Sequence, residues 1–308
     1  MRLIVTGTQG QVVRALIERG PAQGVEIVAI GRPGLDLADP ASVEAALAHV
    51  EGDAIINAAA YTAVDKAESE EELATRINGA GAGAVAKVAA ERGLPLLHIS
   101  TDYVFNGSLD RPYLESDATG PVGAYGRSKL AGERAATAAC PDVAIFRTAW
   151  VYSPFGGNFV KTMLRLGETR EELSVVADQR GAPTSALDIA DALIAAAKSR
   201  VAEPEHKALT GVFHLTGGGE ASWAEFAEEI FADAERFGRK PVKVNPIATK
   251  DYPTPARRPA NSRLSHEKLA RIYGISLPDW RLSTRACVAR LLQSRAFSDP
   301  MESDEKKL

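Results

Sequence analysis

The regular alternation of short apolar strand segments with helical segments is the feature that most constrains the fold of this 308-residue chain. Between residue 1 and about residue 150, five β-prone apolar runs alternate with stretches of helical periodicity; the runs span residues 2–5, 25–30, 53–57, 94–99 and 143–148. Apolar strands separated by helices are typical of a parallel sheet that is covered on both faces. The sequence therefore predicts an α/β fold, a Rossmann-type doubly wound parallel sheet.

Beyond Pro154 the alternation loosens. Residues 158–166, 186–197 and 222–236 have helical patterns, and residues 173–177 and 212–215 are strand-like, whereas residues 241–259 are proline-rich and read as irregular. Ser222 and Glu225 form a capping box at the start of the third helix. We predict an NAD(P)-binding Rossmann domain (1–150), a mixed segment (151–295) that completes the sheet and forms a smaller C-terminal substrate-binding domain, and a mobile tail (296–308).

The amino-acid composition bears on which binding partners and which cellular compartment are expected. A formal net charge of -4 gives no electrostatic reason to expect nucleic acid or an anionic membrane as partner. No apolar run approaches the roughly 18 residues of a membrane span, and the chain enters a strand directly, without a signal-peptide layout. Cys140 and Cys287 are too few and too isolated for a disulfide framework or a zinc site, so we predict no metal. These features predict a cytoplasmic protein.

A glycine turn between the first strand and the first helix predicts a dinucleotide site. Gly7 permits the tight turn, and Gly10 lets a pyrophosphate approach the positive end of the helix. Val13 stands where a third glycine is expected, so we expect looser packing of helix on strand, with the helix further out. A glycine turn of this kind also occurs without a ligand, and that alternative stays open here.

Two neighbouring segments bear on the choice of cofactor. After the second strand comes Gly31-Arg32, where an NAD-selective site places a carboxylate for the ribose 2′-hydroxyl. Because an arginine can pair with a 2′-phosphate, Arg32 favours NADPH, with NADH as the alternative. The strand of residues 53–57 runs into small residues that let a flat ring or a ribose lie against the backbone.

The most informative chemistry lies between residues 94 and 129. A buried strand ends in Thr101-Asp102, and Tyr125 and Lys129 share one face of the helix that follows. An ammonium beside a phenol is expected to lower the tyrosine pKa toward neutrality. Such a pair, with a hydroxyl nearby, can protonate a carbonyl oxygen while hydride reaches its carbon. By contrast, His98 and His214 sit inside apolar strands and are predicted to be packed core residues.

Six ordered stretches carry a resemblance to a known family. They are residues 57–68, 100–105, 125–129, 147–152, 178–184 and 258–264. To about residue 295, the chain resembles an extended short-chain dehydrogenase/reductase of the dTDP-4-dehydrorhamnose reductase type.

The resemblance implies NADPH-dependent reduction of the 4-keto group of a dTDP-linked 6-deoxyhexulose to give dTDP-L-rhamnose. It implies that Tyr125 is the proton donor, that Lys129 holds the nicotinamide ribose, and that Thr101 bonds the substrate carbonyl. The remaining implied contacts are to the pyrophosphate (Gly7, Gly10, Gln11, Val12), near the adenine (Asp36, Leu37), on the ribose side (Ala59, Ala60, Tyr61) and to the sugar (Asp102, Trp150).

Two other classes of protein share parts of this sequence pattern. Related sugar-nucleotide dehydratases carry a glutamate directly after the threonine–aspartate pair, where this chain has Tyr103, so dehydration is not favoured. A non-catalytic dinucleotide-binding regulator, similar to a regulatory subunit of methionine adenosyltransferase, is disfavoured because Thr101, Tyr125 and Lys129 are all present. The sequence leaves open a reductase for a different nucleotide sugar, a homodimer, and a divalent ion at a subunit interface.

Overall fold

A computed structural model describes residues 1–293, and the predicted tail of residues 296–308 lies outside the described residues. The described strands are β1 (Arg2–Thr6), β2 (Glu26–Ile30), β3 (Ala54–Asn57), β4 (Leu96–Thr101), β5 (Ala144–Thr148), β6 (Val151–Tyr152), β7 (Glu172–Val176), β8 (Arg180–Gly181), β9 (Thr184–Ser185), β10 (Gly211–His214), β11 (Ala221–Ser222) and β12 (Lys243–Ile247). The described α-helices are α1 (Gln11–Arg19), α2 (Pro40–Leu47), α3 (Val64–Ala67), α4 (Glu71–Thr75), α5 (Gly81–Glu91), α6 (Ala124–Ala139), α7 (Phe159–Leu166), α8 (Ala186–Ala202), α9 (Trp223–Glu235), α10 (Glu267–Tyr273) and α11 (Trp280–Gln293).

Six of these strands form one parallel sheet in the order β10-β5-β4-β3-β1-β2. The chain passes from β1 to β2 on one side and then returns to β3 on the other, so the direction of winding reverses between β1 and β3. In open sheets of this kind ligands bind at the carboxyl ends of the strands, at that reversal. The predicted doubly wound sheet is confirmed. β10, which comes from the second half of the chain, is the sixth strand, as the sequence predicted.

Alternate residues of the strands enter two different cores, because successive side chains point to opposite faces of a sheet. Leu3 and Val5 of β1 pack with α1 and α8 on one face. Ile4 packs on the other face with α2, α5 and α6. Both faces are therefore covered, which explains why the strands are apolar throughout. Among residues 1–293, no helix has the length and apolar character needed to cross a membrane.

The single long helix predicted for residues 65–92 is wrong in its first part. The short helix α3 ends at Ala67, and the chain starts again in α4, which continues through a π-helical turn, Arg76–Ala80, into α5. The glycines of this region have the predicted role, because they allow close packing. A Cβ at Gly83 would lie 3.2 Å from Cβ of Ala135 on α6, and one at Gly81 would overlap the carbonyl oxygen of Leu37.

The second half of the chain builds a separate apolar cluster of α7, α9, α11 and the strands beside them. The segment predicted to be irregular, residues 241–259, contains β12, which pairs in parallel with β7. The β-propensity of this segment alone did not predict a strand, because the strand forms by pairing with residues some 70 positions away in the sequence. The capping box of α9 is confirmed: Ser222 N–H donates to Glu225 at 2.6 Å, and Glu225 N–H donates to the Ser222 hydroxyl at 3.1 Å.

Candidate active site

The glycine turn after β1 lies at the reversal point of the sheet. Gly7 has a φ of +94°, and a Cβ there would approach Cβ of Ala59, which follows β3, to 3.3 Å. Helix α1 then begins after Gly10, which supplies no side-chain cap. The first N–H groups of α1, at Gln11 and Val12, therefore have no side-chain acceptor at the positive end of the helix dipole. Such a helix end fits the phosphates of a dinucleotide.

Val13 does not loosen the packing of α1, contrary to the expectation from sequence. Its side chain is 1% exposed and belongs to the core beneath the sheet. Its Cγ2 atom lies 3.4 Å from the position that a Cβ at Gly7 would take and 3.8 Å from the corresponding position at Gly10. The valine therefore fills space that the two glycines leave free, and helix and turn remain in contact.

The Gln11 side chain ties α1 to the second half of the chain. Its Nε2 donates to the carbonyl of Val151 at 3.3 Å, and its Oε1 accepts from the Ser153 hydroxyl at 2.7 Å and from Asn158 Nδ2 at 3.1 Å. A pyrophosphate contact from Gln11 would therefore come from its backbone N–H. These bonds fix the start of α1 relative to β6 and α7.

Three residues after β2 were expected to contact the cofactor, and they differ in how exposed they are: Arg32, Asp36 and Leu37. Arg32 is exposed, at the end of a strand that neighbours β1. Asp36 is half-buried and accepts from the N–H of Ala38 at 2.9 Å. The Leu37 side chain is buried in the core that contains Ile4, on the face of the sheet opposite to Val13, so a contact from Leu37 to an adenine would have to come from its backbone.

The segment after β3 is held by hydrogen bonds that the sequence did not reveal. The N–H groups of Ala58 and Ala59 both donate to the Thr6 hydroxyl at 3.1 Å. The Tyr61 N–H donates to Oδ1 of Asn78 at 2.8 Å, and Nδ2 of Asn78 donates to the Tyr61 carbonyl at 3.0 Å. The Tyr61 hydroxyl donates to Glu70 at 2.8 Å. Ala60 lies within this fixed segment and is half-buried.

Asn78, which sequence reasoning missed, sits in the π-helical turn. It is buried and also donates to the Ser128 hydroxyl on α6 at 2.9 Å. π-Helical turns widen a helix locally and occur often at functional sites. The sequence carried no signal for it, because several residues before Asn78 are also polar or charged and its burial appears only in the folded chain, where a buried amide requires partners.

Lys129 is deeply buried below the carboxyl end of β4. Only 3% of the Lys129 surface is exposed, and its Nζ donates to the carbonyl of Ile99 at 2.7 Å. Burial lowers the pKa of Lys129 to about 8, while the nearby Glu133 carboxylate acts in the opposite direction. The lysine therefore titrates close to physiological pH rather than near 10.

Glu133, one turn further along α6, forms a buried ion pair with Arg147 of β5. The two Arg147–Glu133 hydrogen bonds measure 2.8 and 2.7 Å, and Glu133 also accepts from the Ser100 hydroxyl at 2.5 Å. The pair ties α6 to β4 and β5 beneath the site. It was missed from the sequence, although an arginine inside an apolar strand was a visible signal, since buried charges require partners.

Tyr125 and Thr101 meet at the carboxyl end of β4. The Thr101 hydroxyl lies close enough to the Tyr125 hydroxyl to oppose a rise of its pKa, but burial outweighs it and raises the pKa of this phenol above its usual value of 10. The lowered pKa expected from Lys129 is therefore not found: burial and the negative charge of Asp102 dominate. The phenol keeps its proton in this structure.

Asp102 is the other buried group beside Thr101. Its Oδ1 accepts from the Thr101 hydroxyl at 2.9 Å, whereas its Oδ2 has no partner within residues 1–293. Burial raises the pKa of Asp102 to about 7, although the nearby hydroxyls of Thr101 and Ser262 oppose the rise. His98 and His214, by contrast, are buried in the core as predicted, at 1% and 0% exposure.

The segment of residues 256–263, which we term the C-terminal strap, covers this end of the sheet. The Ala256 N–H donates to Asp65 at 3.0 Å, and Arg258 forms an ion pair with the same carboxylate at 2.9 Å. Asn261 donates to the carbonyls of Leu109 and Arg111, both at 2.8 Å. The strap therefore binds the loops after β3 and β4 to the second half of the chain.

Trp150 follows β5 at the same edge. It pairs by its main chain with Thr184, whose N–H donates to the Trp150 carbonyl at 3.2 Å, and it has a positive φ of 49°. Because Thr148 lies in register with Thr101, Trp150 follows the strand end that neighbours Thr101. The fold and this constellation of hydroxyl, phenol and ammonium define a Rossmann-type protein of the short-chain dehydrogenase/reductase class.

Comparison with known proteins identifies the family. Residues 1–293 match the family model described as RmlD substrate binding domain. The chain is 51% identical over 292 residues to dTDP-4-dehydrorhamnose reductase of Sinorhizobium fredii, covering 95% of this chain and 98% of the relative. It is 42% identical over 303 residues to the Escherichia coli K12 protein of that name, covering 96% and 100%. The chain belongs to the dTDP-4-dehydrorhamnose reductase family, a family of oxidoreductases.

Solved structures agree with this assignment. A dTDP-4-dehydrorhamnose reductase from Clostridium acetobutylicum superposes with a TM-score of 0.86 at 37% identity, covering 94% of this chain and 99% of that one. The Bacillus anthracis protein of that name, solved in complex with NADP, gives a TM-score of 0.85 at 36% identity, with the same coverage. The predicted family and fold class are confirmed.

Proposed function

We propose that the protein reduces the 4-keto group of a dTDP-linked 6-deoxy-4-hexulose with NADPH and yields dTDP-L-rhamnose. The observation that carries this proposal is the grouping of Thr101, Tyr125 and Lys129 at the carboxyl end of β4, on the same edge of the sheet as the glycine turn. The names of the relatives support the dTDP-sugar substrate, and the Bacillus anthracis complex supports the cofactor.

The residues of the crevice suit NADPH. We assign the pyrophosphate to the uncapped N–H groups at the start of α1, where no side chain competes for them. Arg32 is accessible for the 2′-phosphate, and the small residues Gly7 and Ala59 let the turn after β1 and the segment after β3 approach each other closely. When bound, NADPH supplies the hydride to the carbonyl carbon.

Tyr125 is the proton donor in this mechanism. Its raised pKa keeps the phenol protonated, so the proton is available when negative charge develops on the carbonyl oxygen. Thr101 is placed to bond both the phenol and that oxygen. Lys129 holds the nicotinamide ribose, and its ammonium stabilises the phenolate that remains after transfer. Its bond to Ile99 orients the ammonium before the cofactor arrives.

We assign the sugar to Asp102 and Trp150, and the substrate-binding domain to residues 151–295. Support for this comes from the separate apolar cluster of the second half and from the strap, which brings Ser262 to Asp102. The unpaired Oδ2 of Asp102 is a buried polar atom that a sugar hydroxyl would satisfy.

The substitution Tyr125→Phe tests the proposal. Loss of the general acid should lower kcat for ketone reduction by roughly 10²–10⁴-fold, while the NADPH dissociation constant changes little. The assay follows NADPH oxidation with a dTDP-4-keto-6-deoxyhexose. Tyr113→Phe is a suitable control, since that buried tyrosine bonds Asn106 and Leu109 instead.

Two outcomes would contradict the proposal. Full activity of the Tyr125→Phe protein would exclude this tyrosine as the proton donor. An unmodified protein that binds NADPH but oxidises none with the sugar nucleotide would favour the non-catalytic regulator.

A further inference from the structure

The indoles of Trp150 and Trp223 form the tightest aromatic stack among the described residues. Their ring centroids lie 3.6 Å apart, with an angle of 8° between the planes. Both side chains are half-buried, so part of the pair remains accessible. Nothing in the sequence motifs pointed to Trp223, which comes some 70 residues after Trp150.

Trp150 has an unusual backbone conformation that needs support from its surroundings. It is the only non-glycine residue with a positive φ within residues 1–293. Bulky residues rarely adopt this conformation, and it persists where neighbouring contacts enforce it. The positive φ of Trp150 therefore needs support from the residues that surround its side chain.

A short pair of strands, β8 and β11, positions the two residues that contact the Trp150 indole, Gly181 and Trp223. Strands β8 and β11 place Gly181 opposite Ala221, and Ser222 then caps the helix that begins with Trp223. A Cβ at Gly181 would overlap the Trp150 ring and would lie 2.8 Å from the Ser262 hydroxyl. The absence of that Cβ and the stack with Trp223 thus fix the indole next to Ser262.

This arrangement links Trp223 to the sugar end of the site. The Ser262 hydroxyl, which donates to the carbonyl of Arg180 at 3.2 Å, lies near Asp102 and opposes the rise of its pKa, and Asp102 in turn lies beside Thr101. Trp223 itself is supported from α7, because the Phe159 ring packs against it with centroids 4.7 Å apart. Trp223 has no such link to Asp102 of its own and acts only through the ring that it stacks on.

We propose that Trp223 is a positioning residue for the substrate sugar, which acts by holding the Trp150 indole in place beside Ser262 and Asp102. The inference rests on the proposed function, since it takes a dTDP-linked hexose as the ligand. Trp223 contributes to the affinity for the sugar and not to the affinity for the dTDP moiety or for NADPH.

The test compares two ligands on the NADP-loaded protein by isothermal titration calorimetry. Trp223→Leu should weaken the binding of dTDP-L-rhamnose by about three- to tenfold, the range that corresponds to one aromatic contact. Binding of dTDP alone should stay within about twofold, and Trp223→Phe should restore most of the lost affinity. In turnover, KM for the sugar nucleotide should rise while kcat is unchanged.

A matched control and a mutant cycle separate positioning from general loosening. Trp280→Phe alters another buried indole of the same cluster, which packs edge-on against Phe226, and should leave sugar affinity unchanged. If Trp223 acts through Trp150, Trp223→Leu should have no further effect in a Trp150→Leu background. Where Trp223→Leu does not fold, Trp223→Met, which also lacks a ring to stack on Trp150, takes its place in the cycle.

Three results would overturn the inference: unchanged affinity for dTDP-L-rhamnose in Trp223→Leu, an equal loss for dTDP, or additive effects in the cycle. Each of these requires that the unmodified protein binds dTDP-L-rhamnose. Failure of the unmodified protein to bind it, or to reduce the ketone, would instead contradict the proposed function.

Discussion

At the scale of single residues, burial outweighs the neighbouring charge in setting the proton equilibria of the site. The sequence places an ammonium beside a phenol and so predicts a lowered pKa for Tyr125. In the structure, burial raises the pKa of Tyr125 and lowers that of Lys129, since each charged form loses its hydration. The phenol therefore stays protonated, and the groups of the site whose pKa values lie near neutral pH are Asp102, at about 7, and Lys129, at about 8.

This gives NADPH binding a specific pH dependence. With a pKa of about 8, Lys129 is charged below that pH and neutral above it. If its ammonium holds the ribose, NADPH affinity should fall as the pH rises through about 8. The loss should reach roughly 10- to 100-fold, as expected for a hydrogen bond from a charged group. Fluorescence titration between pH 6.5 and 9.5 measures it.

Two variants sharpen that measurement. Lys129→Met should bind NADPH weakly at every pH and show no inflection near 8. Lys87→Met, which removes an exposed lysine paired with Glu44, should keep the inflection. An NADPH affinity that is constant over this range in the unmodified protein would show that Lys129 does not hold the cofactor through its charge.

At the scale of secondary structure, contacts between helices, strands and turns overrule predictions that were made from single segments of the sequence. A branched side chain in a glycine turn suggested that α1 is displaced. In the structure Val13 occupies the space that Gly7 and Gly10 leave free. The π-helical turn between α4 and α5 likewise serves a tertiary purpose, because it carries Asn78 to the backbone of Tyr61.

Val13→Gly should therefore destabilise the protein without improving cofactor binding. The change removes buried methyl groups and adds a flexible residue to the helix, so the free energy of unfolding should fall by roughly 2–4 kcal/mol. Urea denaturation measures this fall. Ile17→Gly on the exposed side of α1, where the side chain is 45% exposed, should cost less. Tighter NADPH binding by Val13→Gly would restore the idea of a displaced helix.

At the scale of the whole molecule, the two halves of the chain are joined at the site rather than merely adjacent. β10 of the second half pairs with β5, and the strap returns to Asp65 through Ala256 and Arg258. Asp65 and Arg258 are 193 residues apart in sequence. Each carboxylate oxygen of Asp65 takes one bond, so a single side chain anchors the strap over the end of β3.

Asp65→Asn should loosen the strap. The ion pair is about three-quarters buried, so its loss should lower the free energy of unfolding by about 1–2 kcal/mol. Trypsin should cleave faster after the exposed Arg257, because the strap opens locally more often. Glu44→Gln, which breaks an exposed pair with Lys87, is the control and should leave cleavage at this position unchanged. Equal cleavage rates in both variants would show that Asp65 does not anchor the strap.

The sequence by itself determined the features that depend on local pattern. The period of the apolar residues identified the strands of the sheet, and the glycines between β1 and α1 identified the tight turn at the reversal point of the sheet. The spacing of Tyr125 and Lys129 placed both on one helical face. These inferences succeed because neighbouring residues in the chain decide backbone periodicity, turn geometry and helix faces.

Only the tertiary structure decided what depends on burial and on distant contacts. The Glu133–Arg147 pair, the stack of Trp223 on Trp150 and the anchoring of the strap each join segments from different elements. The raised pKa of Tyr125 has the same origin, because the loss of hydration depends on everything packed around the phenol. A one-dimensional pattern carries no measure of that enclosure, and the protonation state of the site therefore emerges only once the chain is folded.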